Sequence, residues 1–317
     1  MLLQLIKQRG NAIIIALLVM TIAALLAVNM SARQHQATAR SQHIVDNQRY
    51  EAHYQYALAW AIGILRQHYQ QAGARAVNDN LTDPWAKPMP VYQQLGWSVN
   101  AQLEDWQGRF AINNLLTEKE PAIRHQLISQ LSRLIQLVAP QAVDSENLAT
   151  GVSGWVNREA DAEDSLYTQR HPAYLAAHLP LSHPRELRLI AGFTDKVVKS
   201  LMPYVNAIPN ANEPAPVNVN TCSAPVLAAI ADITLAQAQQ VIAQRPFASA
   251  AAFNQQLQTV QSKSVAATQK AHFSVDSRYF LLKTTVQHEQ QTRINNTLLM
   301  RRPDASLWVI WQDWDQE

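Results

Sequence analysis

Four carboxylates lie close together near the middle of the chain. Glu159, Asp161, Glu163 and Asp164 fall within one short segment, and Asn157 adds a neutral side-chain oxygen just before them. Calcium takes roughly six to eight oxygen ligands, often from a single flexible loop. Clustered carboxylates repel one another unless water or a cation surrounds them. The segment is therefore interpreted either as a calcium site or as a solvated acidic surface, and the sequence leaves both open.

The chain contains no sequence motif for hydrolysis or for nucleotide binding. There is no G-x-S-x-G, no H-E-x-x-H and no P-loop. The ten histidines are scattered, and His171, His178 and His183 lie near turns that contain proline. The single cysteine, Cys222, rules out an internal disulfide, and its small and apolar neighbours indicate an inert buried thiol. We expect no enzymatic activity.

A second candidate binding segment runs from Val217 to Leu257. Its N-x-N-T start and paired helices resemble a helix-hairpin-helix unit, which binds phosphates through a glycine-containing hairpin backed by Lys or Arg. Here the hairpin has no glycine and carries Asp232, and Arg245 is the only cation of the segment. We expect no nucleic-acid binding, and a DNA-uptake protein is the weakest alternative.

The N-terminal region contains a membrane-spanning sequence. From Ala12 to Val28 the only polar residue is Thr21, and this length of helix spans roughly 26 Å, close to the hydrocarbon thickness of a bilayer. Lys7 and Arg9 precede it, and no acidic residue occurs before Asp46. Because Lys and Arg stay on the cytoplasmic side, we expect a cytoplasmic N-terminus and a single pass, with the bulk of the chain outside.

Three interpretations of this segment compete. A cleaved secretory signal needs small residues at the cut, and residues 30–32 match poorly. A plain signal anchor is the second interpretation. The third follows from the order of features, since a short basic leader ends in Gly10 and the apolar helix starts at once. This order resembles a type IV prepilin leader, cut after the glycine to leave Asn11 first. Most such proteins carry Glu five residues after the glycine, where this chain has Ile15.

Periodicity predicts the elements that position these residues. One helix is predicted from Asn11 to Gln71, ended by Gly73, and three antiparallel strands are predicted after residue 270. The second half of this helix is predicted to pack one face on a folded domain. The apolar residues at helical spacing on that face are Ile44, Tyr54, Leu58, Ile62, Leu65 and Tyr69. The predicted strands are Ser277–Val286, Arg293–Met300 and Leu307–Trp311, with Trp308, Trp311 and Trp314 interpreted as sheet packing. Mostly helical sequence lies between, so the predicted fold class is α+β.

Three motifs resemble the minor pseudopilin K of type II secretion systems. Asp105–Leu115 follows the pattern D-x-x-G-R-F-x-x-N-N-L, in which Gly108 permits a turn and Asn113-Asn114 can cap the next helix. Trp155–Tyr167 leads to an E-L-R motif at residues 186–188. Lack of the glutamate at Ile15 is also a mark of the K subunits.

The resemblance implies a pilin-like domain with a large inserted α-helical domain. It divides the chain into a leader (1–10), a transmembrane part (11–30), a first pilin-like part (31–112), an insertion (113–270) and C-terminal strands (271–317). The insertion would hold two related small units, SAM-like or helix-hairpin-helix-like.

The resemblance also implies a function. The chain would lie at the tip of a periplasmic pseudopilus, anchored in the bacterial inner membrane, with the minor pseudopilins I and J as partners and a prepilin peptidase as its processing enzyme. Secreted substrates and the outer-membrane secretin are further candidate partners. It also favours calcium as a ligand of the acidic segment. Without the resemblance, the chain is interpreted as a membrane-anchored periplasmic binding module unrelated to pili.

Overall fold

The computed structural model describes residues 2–73, 77–117, 120–157, 164–209, 214–261 and 273–315. The chain forms two compact units, Met1–Tyr56 and Ala57–Glu317. The first unit consists of helix, and the second contains the sheet and the remaining helices.

Helix α1 runs from Leu2 to Ala72, a length of 71 residues. The predicted start at Asn11 is therefore wrong, because the helix continues through the leader. Gly10 alone weakens a helix by only about 1 kcal/mol, and its Leu, Ile, Lys, Gln and Arg neighbours favour one. In the first unit, the apolar side chains from Ala12 to Val28 are exposed. Ile44 is 58% exposed, so its predicted place on a buried face is wrong.

In the second unit, the last part of α1 has one buried face. Ala57, Ala61 and Leu65 are completely buried, at a spacing of four residues. The prediction for Leu65 is confirmed, but the two alanines were not recognised as the centre of the face. Gly73 ends the helix with φ of +61°, and its N–H donates to the carbonyl of Gln70 at 3.1 Å, as glycine at a helix C-terminus commonly does.

A five-stranded antiparallel sheet has the strand order β1-β2-β7-β8-β9. The predicted C-terminal meander of three strands is confirmed, and two earlier strands extend it. The strands are β1 (Tyr92–Gln94), β2 (Trp97–Asp105), β7 (Tyr279–His288), β8 (Gln291–Arg301) and β9 (Leu307–Asp315).

One face of the sheet is closely packed. Phe280, Leu282 and Val286 alternate along β7 and are completely buried. The ring of Trp85, from a short 3₁₀ helix at Pro84–Ala86, meets the edge of Phe280 with ring centroids 5.2 Å apart. This alternation explains why period-two patterning identified the strands.

The helical domain is inserted between β2 and β7, in two successive parts. The first part starts at β3 (Phe110–Ala111) and ends at β4 (Val205–Asn206), which pair in parallel. The second starts at β5 (Val217–Asn218) and ends at β6 (Phe273–Ser274), also a parallel pair. Each part therefore begins and ends at one place.

Eight described helices fill the two parts. In the first they are α2 (Asn114–Thr117), α3 (Pro121–Val138), α4 (Ser145–Val156), α5 (Asp164–Thr168) and α6 (Asp195–Leu201), with a 3₁₀ helix at Pro184–Leu189. In the second they are α7 (Ala224–Ala231), α8 (Leu235–Ile242) and α9 (Ala250–Val260). One apolar core joins both parts, and α3 lies at its centre with Leu127, Leu131 and Leu134 buried. Ser223 is the N-cap residue of α7, the first helix of the second part.

Candidate functional site

A buried polar cluster lies where the sheet meets the helical domain. We call it the carboxylate junction, and it comprises His68, Asp79, Asp105, Asn218, Ser277 and Arg301. Its members come from the end of α1, the loop that follows, the end of β2, strand β5, the segment before β7 and the end of β8. Six segments of the second unit are therefore joined at one point.

Asp79 is one centre of the junction. Arg301 donates to both of its carboxylate oxygens, Nη1 to Oδ1 at 3.0 Å and Nη2 to Oδ2 at 2.5 Å. The N–H of Ser277 donates to Oδ2 at 2.7 Å, and Nε2 of His68 lies 3.2 Å from Oδ1. Asn218 donates to the backbone carbonyl of Asp79 at 2.9 Å. Asp79 thus connects α1 and β8 through its buried carboxylate, and the helical domain through its backbone carbonyl.

Asp105, the last residue of β2, is the other centre. Its Oδ2 accepts hydrogen bonds from Thr221 Oγ1 at 2.6 Å, Ser277 Oγ at 2.6 Å and Asn218 Nδ2 at 2.9 Å. Its Oδ1 accepts the N–H of Gln107 at 2.8 Å. Ser277 contacts both carboxylates, and Asn218 contacts the Asp105 carboxylate and the backbone carbonyl of Asp79, so the two centres form one network.

Burial and charge act differently on the two carboxylates. Burial alone raises the pKa of Asp79, but hydrogen bonds from His68 and Arg301, with the charge of Arg301, outweigh it and lower this pKa below the usual value. Burial raises the pKa of Asp105 to about 6, despite its hydrogen bonds from Ser277 and Thr221. The hydrogen bond to Asp79 raises the pKa of His68. Asp79 therefore stays charged, whereas among the residues that the structure describes no cation is in direct contact with Asp105.

Close backbone packing completes the junction. A Cβ on Gly108 would lie 2.9 Å from Thr221 Oγ1 and 3.3 Å from the Thr221 carbonyl group. Glycine is required at this place because Thr221 reaches Asp105 across it. The glycine of the D-x-x-G-R-F motif thus allows the second helical part to contact the sheet.

Three asparagines hold the connection between the two helical parts. Asn113 donates to the carbonyls of Leu181 and Ile208, at 3.0 and 2.8 Å. Asn114 makes a reciprocal pair with the backbone of Ala215, and Asn206 donates to the carbonyl of Trp106 at 2.7 Å. The sequence interpretation of Asn113 and Asn114 as capping residues missed these long-range bonds. In the sequence, the feature that pointed to these bonds was the asparagines themselves, because one buried amide can satisfy a backbone donor and a backbone acceptor together.

The predicted metal ligands are only partly described. Glu159, Asp161 and Glu163 lie outside the described residues, and Asp164 is the first residue of α5. Asn157 is buried at the end of α4, where its Nδ2 donates to the carbonyls of Leu115 and Ser153. The described part of the chain contains no group of three His, Cys, Asp or Glu side chains that could hold a metal ion.

The predicted processing and tip-defining positions all lie in α1. Gly10 and Asn11 are helical, and the Ile15 side chain is 60% exposed. Within the described residues, one unbroken helix is long and apolar enough to cross a membrane, with mean hydropathy 2.7 over its most apolar stretch. The first apolar stretch thus has the properties of a single-pass anchor.

The C-terminal tryptophans differ in their surroundings. Trp311 packs against the small cluster of Trp106, Ile208, Leu281 and Leu298, and its ring lies 5.5 Å from that of His183. Sheet packing is confirmed for Trp311. Trp308 is 53% exposed beneath the guanidinium of Arg302, and Trp314 is 36% exposed.

A long apolar N-terminal helix, an antiparallel sheet and a helical insertion fixed to one end of that sheet define a membrane-anchored, pilin-like protein. Family models described as "Type II secretion system (T2SS), protein K" match residues 108–210 and 217–276. The chain belongs to the protein K family of type II secretion systems, a family of minor pseudopilins.

Relatives and a solved structure agree with this assignment. The chain is 29% identical to the type II secretion system protein K of Pseudomonas aeruginosa, over 98% of this chain and 93% of that protein. It is 28% identical to the protein K of Klebsiella pneumoniae, over 88% of each. Its fold matches a chain in the crystal structure of the GspK-GspI-GspJ complex of enterotoxigenic Escherichia coli, with a TM-score of 0.72, 23% identity, and coverage of 86% of this chain and 99% of that one. The predicted pilin-like fold with an inserted helical domain is therefore confirmed.

Proposed function

We propose that this chain is the minor pseudopilin at the tip of the type II secretion pseudopilus. There it assembles with other minor pseudopilins, initiates or caps the pseudopilus, and supports protein export across the outer membrane. The observation that carries the proposal is the placement of the helical domain. It is attached at the end of the sheet where α1 finishes, through the contacts of Asp79 with Arg301 and Asn218.

This placement has a steric consequence for stacking. Subunits of a pilus stack along their N-terminal helices, so the end of α1 that points away from the membrane faces the next subunit. In this chain the helical domain, with its eight described helices, is attached beside the end of α1. A further subunit stacked there would collide with the insertion, which favours a terminal position.

The absence of a negative charge at Ile15 supports the same terminal position. In pilins, the glutamate five residues after the cleavage site pairs with the N-terminal amine of a neighbouring subunit. Ile15 has no carboxylate to offer. A membrane-embedded ion pair of this kind has few competing partners in lipid, so its absence removes one contact that would hold a subunit above this one.

Processing and location follow from the N-terminal sequence. A prepilin peptidase removes residues 1–10 and leaves Asn11 at the N-terminus. The remaining helix anchors the chain in the bacterial inner membrane, and the domain after it lies in the periplasm. Lys7 and Arg9 before the apolar stretch support this orientation.

Partners are proposed from the solved complex. The E. coli GspK chain was solved with GspI and GspJ, and we propose that this chain binds the corresponding I- and J-type minor pseudopilins. Secreted substrates and the secretin are further candidate partners.

We also propose that Glu159, Asp161, Glu163 and Asp164 bind calcium, because their clustered charge favours a hard divalent cation.

Two measurements on cells test the proposal. Full-length chain is purified from membranes with and without the prepilin peptidase, and its N-terminus is sequenced. We expect Asn11 only when the peptidase is present. A gold-labelled antibody against the helical domain is then applied to pseudopili sheared from cells that overproduce the major pseudopilin. Label at one end is expected; label along the length, or a peptidase-independent N-terminus, would favour a membrane-anchored binding module instead.

A further inference from the structure

The two edges of the sheet differ in how they are protected. Strand β1 has three residues and follows Pro90, two features that discourage pairing with another strand. Strand β9 has nine residues and contains no Lys, Arg or Pro. Soluble proteins commonly protect long edge strands with such residues or with bulges. In β9 the register shifts opposite Leu298 and Leu299 and two carboxylates lie near the end, whereas Leu307–Val309 has neither kind of protection.

Side-chain exposure along β9 supports this view. Trp308 is 53% exposed, Val309 is 46% exposed and Trp314 is 36% exposed. Trp308 lies opposite Met300, whereas Val309 lies opposite Leu299, so exposed apolar side chains occur on both faces of the edge. A strand added in the plane of the sheet would cover both faces together, because its side chains also alternate.

The charge on β9 limits what that strand can be. Asp313 lies opposite Asn296, and Lys283, on the other side of Asn296, is paired with Glu104 at 2.6 Å. Among the described residues, Asp313 itself has no ion-pair partner within 4.0 Å. A second copy of β9 would bring another acidic, cation-free strand to this edge. Charge complementarity therefore favours a different chain with Lys or Arg opposite Asp313.

We propose that β9 is an assembly edge that accepts an extended, basic and apolar segment of another minor pseudopilin. This inference rests on the proposed function, which supplies neighbours anchored in the same membrane. Leu307, where β9 starts, follows the turn at Pro303, whose carbonyl accepts the hydroxyl of Tyr69 near the end of α1. From Leu307, β9 runs antiparallel to β8 and ends at Asp315, which pairs with Ile294. The edge thus starts beside the carboxylate junction, with Leu307 opposite Arg301, and runs away from the junction along the length of the sheet.

Site-specific photo-cross-linking tests the edge in the intact chain. A benzophenone amino acid replaces Val309 in full-length protein produced in membranes with the I- and J-type subunits. The matched control replaces Gln93, an exposed residue on the opposite edge strand β1. We expect position 309, and not position 93, to cross-link to a minor pseudopilin. The substitution Asp313→Lys, in the 309-labelled chain, should lower the cross-linked yield by about tenfold, the effect of ~1.4 kcal/mol.

Co-purification from the same membranes separates this inference from the proposed function. If the chain co-purifies with the I- and J-type subunits but position 309 cross-links to nothing, to a second copy or to the secretin, the assembly edge is refuted and the proposed function stands. If the chain does not co-purify with them at all, both are refuted. Equal yields from positions 309 and 93 also refute the edge.

Discussion

Arg301 and Asp79 are 222 residues apart in the chain, and the guanidinium of one donates to both carboxylate oxygens of the other in the interior of the protein. The side chain of Arg301 also lies over the rings of Tyr69 and Phe280, with centroid distances of 5.3 and 5.1 Å. One side chain thus connects the end of α1, the sheet and the loop that binds the helical domain.

Loss of this arginine is expected to be strongly destabilising. Arg301→Leu leaves the Asp79 carboxylate buried without its cation, which should lower the free energy of unfolding by about 3–5 kcal/mol. Denaturant unfolding of the full-length chain in detergent, followed by tryptophan fluorescence, measures the effect. Arg302→Leu is the control, because the Arg302 side chain is exposed and lies over the face of Trp308 instead of pairing with a buried carboxylate; it should cost about 1 kcal/mol or less.

A double variant distinguishes a true pair from two separate effects. The double variant Asp79→Leu, Arg301→Leu should lower the free energy of unfolding by clearly less than the sum of the two single variants. The reason is that the double variant removes both charges of the pair, whereas each single variant leaves one of them unpaired. Additive losses would mean that the two residues stabilise the protein independently.

Two glycines are expected to respond to alanine in opposite directions. Gly108→Ala places a Cβ against Thr221 and should cost about 1–3 kcal/mol. Gly63→Ala, inside α1, meets nothing within 4 Å and should stabilise the helix by about 1 kcal/mol. Thermal unfolding of both variants beside the parent chain gives the comparison. Destabilisation at Gly63 equal to that at Gly108 would contradict the close-approach explanation.

Asp105 is expected to make stability depend on pH. Its folded pKa of about 6 lies above its unfolded value of roughly 3.9, so the folded state binds the proton more tightly. The stability contributed by this group is present at pH below about 4 and is lost as pH rises through about 6. The loss is on the order of 2–3 kcal/mol.

The substitution Asp105→Asn isolates this contribution from other titrating groups. Unfolding free energies of parent and variant are measured between about pH 4 and 7, a range set by the two pKa values. The parent should lose stability relative to the variant as pH rises, since the variant has no proton to release. A constant difference between the two proteins across this range would show that Asp105 does not titrate there.

Calcium is expected to stabilise the folded chain through the acidic segment. If calcium binds, a free concentration ~100-fold above the dissociation constant raises the unfolding free energy by ~2.7 kcal/mol. Thermal unfolding of the full-length chain with calcium and then with a chelator measures the shift. The double variant Asp161→Asn, Glu163→Gln should lose it, whereas Glu146→Gln, at an exposed carboxylate of α4, should keep it. An unchanged shift in the double variant would locate calcium elsewhere.

Local patterning explains what the sequence could predict. The apolar run of α1, the alternation in β7 to β9 and the helical spacing of α3 each report burial within a few neighbouring residues. The motif around Gly108 was recognised correctly as a turn.

The carboxylate junction could not be predicted in this way. Asp79 lies in a polar run that reads as a loop, and Arg301 ends a strand, so neither shows its partner in the neighbouring sequence. Asn113 illustrates the same point, because its amide binds backbone groups 68 and 95 residues away. Long-range polar contacts of this kind depend on the completed fold.

The helical domain leaves and re-enters the sheet at neighbouring positions, since Asp105 at the end of β2 lies opposite Phe280 at the start of β7. Tension applied along α1 would therefore pass into the sheet and its strand pairs without stretching any of the inserted helices. The insertion lies outside the path of this tension and is joined to the sheet at two adjacent strands, β2 and β7. Asn218 joins the insertion to this place through its hydrogen bonds to Asp105 and to the backbone carbonyl of Asp79, so a force on the helical domain would first reach the end of β2 and the loop after α1.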